Sequence, residues 1–145
     1  FVPDIQRSTD LPFLNMTLSA TALAAQNTGV GGTVGILASP ATQTTRLFHD
    51  ALEAQGCSAL YPDDQGPILA AIKAIKINGV TPDSIKILQQ QADKLAKAGA
   101  QCILIGCSEF SLMSGDITSP VRLIDTLDVL VDQITAFSGA TRRPH

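Results

Sequence analysis

The chain has 145 residues, 45% hydrophobic and only 16% charged, which suits one folded domain with a real core and excludes a disordered chain. A net charge of −3 argues against nucleic acid as a partner, and five Phe, one Tyr and no Trp leave no stacking platform for single strands. Cys57, Cys102 and Cys107 have no regular spacing, and with two His and no paired Cys or His motif neither a disulfide framework nor a metal site is expected; free thiols fit a reducing cytoplasm.

The opening FVPDIQRSTD is polar and has no basic segment leading an apolar run, so it does not read as a signal peptide. It does not start with Met, and the expectation is a fragment of a longer protein. Residues 11–45 carry no charge, but Asn15, Gln26, Asn27, Gly29, Gly31, Gly32 and Pro40 interrupt every apolar run, so no membrane span is read.

LPFLNM (11–16) reads as a short buried strand. TLSATALAAQN (17–27) reads as a helix capped by Thr17 and stopped by the glycines that follow. TVGILA (33–38) is a continuous β-branched run of the kind found in buried parallel strands. A helix over 44–56 places Leu47, Phe48, Ala51 and Leu52 on one face, and CSALYP (57–62) is the next strand. Ile68, Leu69, Ile72 and Ile75 set a helix over 67–78. Thr81-Pro82-Asp83 opens another, with Ile85, Leu88, Ala92 and Leu95 as its buried stripe and Gly99 as its end. CILIG (102–106) and PVRLID (120–125) are strands, TLDVLVDQITAF (126–137) is a closing helix, and SGATRRPH (138–145) is read as a frayed tail. Strands alternating with helices define an α/β fold, a parallel sheet flanked by helices on both faces, with chemistry at the carboxyl ends of the strands.

Those ends are Ala38 to Thr42, Tyr61 to Asp64 and Gly106 to Glu109. Cys107 follows a buried strand directly. If a helical turn starts there, its amides would lower the thiol pKa towards neutrality and make a nucleophile or proton-transfer base; the plainer reading is a small hydrophobe at a strand end. Ser39 and Thr42 lead into a helix N-terminus, where they either cradle an anion or cap the helix. Lys73 and Lys76 are usual solvated residues, Lys76 being nearer a loop. Asp125 reads as the cap of the last helix, and Cys57 and Cys102 as structural thiols. GVGGTVG (29–35) precedes its strand, the reverse of a dinucleotide fingerprint.

The string GAQCILIGCSEFSL (99–112) resembles the second cysteine motif of the aspartate/glutamate racemase superfamily, with Ser108 where Thr is usual. LPFLNMTLSATALAA, GTVGILASPATQTTRLFHDAL and PVRLIDTLDVLVDQI resemble the family's linking segment, its substrate loop and its closing strand and helix with an Asp-Thr step. The resemblance, closest to aspartate racemases, covers residues 1–137. It implies a flavodoxin-like racemase domain, cofactor-independent (no pyridoxal phosphate, no metal), usually dimeric, in which two cysteines face the substrate α-carbon from opposite sides. By matching position Cys107 is the second cysteine, Glu109 supports the thiol, and Ser108, Thr42, Ser39 and Lys76 hold substrate carboxylate. The implied partner is a small dicarboxylic amino acid, aspartate or glutamate.

The family's first cysteine lies in a Cys-Asn-Thr motif ahead of the segment that opens this chain, and Cys57 and Cys102 sit at the wrong strand ends to replace it. Residues 17–118 are therefore expected to form a complete second domain, and residues 1–16 and 119–145 to be pieces of a first domain otherwise missing here. The chain alone is expected to be inactive or incomplete, and to work as a homodimer with a first half or a complementing chain. Two alternatives stay open: a one-cysteine relative such as an arylmalonate decarboxylase, hydantoin racemase or maleate isomerase, and a non-catalytic carboxylate-binding domain.

Overall fold

A computed structural model describes Ile5 and residues 7–139; His145 and most of the expected tail fall outside the described residues. Helix α1 spans Met16–Thr28, β1 Thr33–Leu37, α2 Pro40–Thr44, α3 Leu47–Glu53 and β2 Ser58–Leu60. Helices α4 (Gly66–Asn78) and α5 (Pro82–Lys97) lead to β3 (Cys102–Ile105). The one-turn helix α6 (Ser108–Ser111), a 3-10 turn (Ser114–Asp116), β4 (Arg122–Asp125) and α7 (Thr126–Ser138) complete the order.

All strand pairs are parallel, in the order β2-β1-β3-β4, with Leu37 beside Ile105 and Ile105 beside Asp125. Side chains alternate across β3. Ile103 and Ile105 join Leu37, Ile72 of α4, Leu88 and Leu95 of α5, and Phe110 in one core. Cys102 and Leu104 join Ile36, Ala20 and Ala24 of α1, Phe48 and Leu52 of α3, and Ile124 in the other. Helices thus cover both faces, as the strand–helix alternation requires. At Gly35 a Cβ would meet Ile103 Cγ1 at 3.0 Å, Ala100 Cβ at 3.1 Å and Leu95 Cβ at 3.3 Å, so the missing side chain is what lets α5 seat so close to β1.

Three local expectations are corrected. No strand forms at 11–16. Asn15 accepts a hydrogen bond from the Leu18 amide at 3.1 Å and caps α1 in place of Thr17, and this local capping competes with extended pairing. Leu11 stays 76% exposed. The helix expected at 44–56 is shorter, Leu47–Glu53, and a separate helix, Pro40–Thr44, precedes it. Ser39 and Pro40 start that earlier helix, and Arg46, left-handed at φ 56°, separates the two. The Thr44 and Thr45 hydroxyls bond back to the Pro40 and Ala41 carbonyls there, a habit that weakens continuous helix. Strand 57–62 is shorter, at Ser58–Leu60. Residues 122–125, placed by the sequence in the 119–145 piece, pair with β3 as part of this sheet. Among the described residues no helix is long and apolar enough to cross a membrane.

Candidate functional site

Strand β1 connects onward to one side of the sheet and β3 lies on its other side. The carboxyl ends of β1 and β3 therefore flank the switch point at which α/β sheets open a crevice. The register sets the residues that meet there. Because Leu37 pairs with Ile105, and the Gly106 amide bonds the Leu37 carbonyl at 2.9 Å, the loop from Ala38 runs beside the loop from Gly106. A Cβ at Gly106 would meet the Phe48 ring at 2.5 Å and Ala38 Cβ at 3.3 Å. Only glycine allows these loops to come together over the buried Phe48, and so fixes where Cys107 leaves the sheet.

Cys107 is 9% exposed and stands in extended conformation at the start of α6. Its Sγ donates to Glu109 Oε2 at 2.9 Å, and the Ser108 hydroxyl donates to the same oxygen at 3.2 Å. The other carboxylate oxygen, Oε1, accepts from Lys76 Nζ at 2.9 Å, across from the last turn of α4. Four of the six expected site residues, Cys107, Ser108, Glu109 and Lys76, therefore form one chain of contacts.

The electrostatics follow from this chain. Burial, reinforced by the Glu109 carboxylate, pushes the Cys107 thiol up to about 11. This corrects the lowering expected from a helix N-terminus. The Glu109 and Phe110 backbone amides do pull the thiol pKa down, but α6 is a single turn and its dipole is small beside the cost of a buried anion next to a carboxylate. Glu109 moves the other way. Hydrogen bonds from the thiol and from Lys76 hold its carboxyl down to about 2. The same carboxylate raises the ammonium pKa of Lys76 through its hydrogen bond and its charge. At neutral pH the group holds a thiol, a carboxylate and an ammonium.

Ser39 and Thr42 lie in the neighbouring loop, but among the described residues no hydrogen bond joins them to that chain. Thr42 donates its hydroxyl proton to the Ser39 carbonyl at 2.8 Å, so it would have to turn to serve an incoming anion. The Ser39 side chain makes no capping bond, which leaves its hydroxyl uncommitted to α2. Cys57 and Cys102 stay at the amino ends of β2 and β3. Cys57 Sγ is 3.4 Å from the Gly29 carbonyl oxygen and Cys102 is fully buried beneath α1.

Two supporting bonds, from Ser111 to Asp125 and from Thr126 to Ile105, were not read from the sequence. Asp125 Oδ1 accepts from the Leu127 amide at 2.9 Å, the capping role expected of it, and also from the Ser111 hydroxyl at 2.8 Å, which ties α6 to the end of β4. The Thr126 hydroxyl donates to the Ile105 carbonyl at 3.0 Å. The signal was the Asp-Thr step itself: a cap followed by a hydroxyl at a strand end. His49, Asp50 and Glu53 bring their ligand atoms within 4.8 Å of one another. The Arg46 guanidinium already sits among them, 2.8 Å from Asp50 and 2.7 Å from His49 Nδ1, and supplies the counter-charge there.

A parallel α/β sheet with a cysteine after the strand beside its switch point defines the class of this domain. The profile of the Asp/Glu/hydantoin racemase family matches residues 1–134, and the chain belongs to that family. An uncharacterized protein from the pnlA 3′ region of Pectobacterium carotovorum subsp. carotovorum is 31% identical over 102 residues, 68% of this chain and 67% of that protein. Among solved structures the chain is similar to a candidate Asp/Glu racemase from Yersinia pestis (TM-score 0.79, 23% identity, 94% of this chain and 60% of that one). It is also similar to the aspartate racemase of Picrophilus torridus (TM-score 0.69, 20% identity, 90% of this chain and 55% of that one). At these identities the likeness to solved structures is one of fold, and the chain spans 60% and 55% of their lengths.

Proposed function

We propose that the chain is the Cys107-bearing half of a cofactor-independent racemase acting on aspartate or glutamate. The observation that carries this reading is the Cys107–Glu109–Lys76 chain at the β3 end of the switch-point crevice. An amino acid's α-proton is weakly acidic, and its removal needs the developing charge spread into a carboxylate held by donors. Lys76 and the hydroxyls of Ser108, Ser39 and Thr42 are the donors we assign to that carboxylate.

Cys107, protonated in the resting state, delivers a proton to the face of the carbanion it covers, and Glu109 is the positioning group that orients its S–H. In the reverse direction Cys107 is the base, and a bound substrate ammonium brings its pKa down by opposite charge. The opposite face requires a second acid–base group, which we assign to a first half or complementing chain. Such a partner, or a second copy, would also cover the apolar stripe that α7 leaves outward, Leu127, Val131, Ile134 and Phe137. Three free cysteines support a cytoplasmic setting.

The test is the interconversion of D- and L-aspartate and glutamate, measured on the chain and on any longer polypeptide that contains it. Cys107→Ser should remove it by at least about a hundredfold. Undiminished interconversion would sink the assignment. The resting thiol also suits one-cysteine protonation chemistry. Release of carbon dioxide from a disubstituted malonate, without racemisation, would favour that second reading.

A further inference from the structure

A cavity lies away from Cys107, between the loop after β2 and one face of α5, with a volume of about 420 Å³. Gln91, Lys94 and Leu95 follow one another on that helix face at i, i+3 and i+4, and Lys97 joins them at the rim. Leu60 and Asp63 stand on the facing wall.

Gln91 is the unusual member. It is only 3% exposed and occupies the stripe through which α5 packs on the sheet, between Leu88 and Leu95. Buried amides are nearly always hydrogen-bonded. Yet among the described residues the Gln91 amide has no protein partner, and it lines this cavity. Its amide atoms are not among the fully enclosed unpartnered ones, which are Tyr61 Oη and Gln65 Oε1, so the amide stays open towards the cavity and is free to bond what enters it. The charges around it are likewise uncommitted. Among the described residues neither Lys94 nor Lys97 is in a salt bridge, and Asp63 on the opposite wall has no partner either. Two exposed ammonium groups on one wall, the carboxylates of Asp63 and Asp64 on the other, of which Asp64 already accepts from the Gly66 amide at 2.8 Å, the Gln91 amide and the apolar sides of Leu60 and Leu95 match a small molecule carrying both charges on an apolar body.

We propose that this cavity binds a free α-amino acid with an apolar side chain. Its carboxylate goes to Lys94 and Lys97, its ammonium to Asp63, and one of its polar groups to the Gln91 amide. The site is separate from the Cys107 crevice and takes a different ligand from the dicarboxylic substrate proposed there.

The experiment titrates L-leucine, 4-methylpentanoate and 3-methylbutylamine into the Cys107→Ser chain, read by calorimetry and by amide chemical shifts. The Cys107→Ser background keeps the outcome independent of the racemase reading. L-leucine should bind and shift amides of α5 and of the loop after β2, while the two single-charge analogues bind at least about fivefold more weakly. Gln91→Leu, which keeps the packing, and Lys94→Met, which touches only the rim, should each weaken leucine binding about five- to tenfold. Absence of binding at millimolar leucine would overturn the proposal. So would leucine binding left unchanged in both variants, or shifts confined to the Cys107 crevice.

Discussion

At the scale of single residues the account turns on one proton shared between Cys107 and Glu109. The fold raises the thiol from 9.0 to about 11 and lowers the carboxyl from 4.5 to about 2. The two shifts act on stability at opposite ends of the pH range. The thiol is favoured in its protonated form, so its contribution is complete below about pH 9 and is lost as pH rises to about 11. The carboxyl is favoured in its charged form, so its contribution is complete above about pH 4.5 and fades as pH falls to about 2. In a Cys57→Ser, Cys102→Ser background, the ultraviolet absorbance of the thiolate should titrate near 11. Glu109→Gln should lower that midpoint while burial keeps it above the ordinary 9.0. A midpoint near 7 in the parent would refute the protonated resting state. Gly106→Ala tests the geometry. The Phe48 ring must move to admit the methyl, so urea denaturation should show a loss of about 1–3 kcal/mol, and an unchanged midpoint would show that the approach is slack.

At the scale of elements, legibility followed local chemistry. Helix α5 could be read residue by residue. Thr81 caps, Pro82 takes the first turn, and Ile85, Leu88, Ala92 and Leu95 repeat at helical spacing; the structure adds Ser84, whose hydroxyl returns the cap to the Thr81 amide. Thr81→Ala should therefore cost about 1 kcal/mol in urea denaturation. Strand β3 was as clear, because CILI is buried on both faces. The break between α2 and α3 was not legible, since it rests on Arg46 in a left-handed conformation, with its guanidinium bonded to Asp50 and His49. Nothing in the composition of residues 44–56 signals that. The run 11–16 misled for a related reason: apolar residues suggest a strand only if a neighbour is there to pair, and Asn15 had a nearer use as a cap. In the site, Cys107, Ser108 and Glu109 were legible because they are contiguous. The Lys76 contact was a weaker reading, since it depends on how α4 lies against α6. The reversed thiol shift was out of reach, because burial and the carboxylate's aim are properties of the fold.

At the scale of the whole molecule the sheet is covered on both faces, while α7 is only half used. Thr126 is its buried residue, and Leu127, Val131, Ile134 and Phe137 are 37%, 42%, 48% and 66% exposed. An apolar stripe of this kind suits the contact with a first half or second copy proposed above. Sedimentation should show concentration-dependent association that Ile134→Lys with Phe137→Lys abolishes, or uptake of a first half that the same variant blocks. A monomer indifferent to both changes would contradict that assignment. The central proposal is proton transfer at an α-carbon by Cys107. The most direct measurement is proton NMR of D- and L-aspartate and glutamate in deuterated water, with the chain in any longer polypeptide that contains it. The account predicts loss of the α-proton signal together with inversion, and abolition of inversion by Cys107→Ser. Inversion that survives in Cys107→Ser would contradict it.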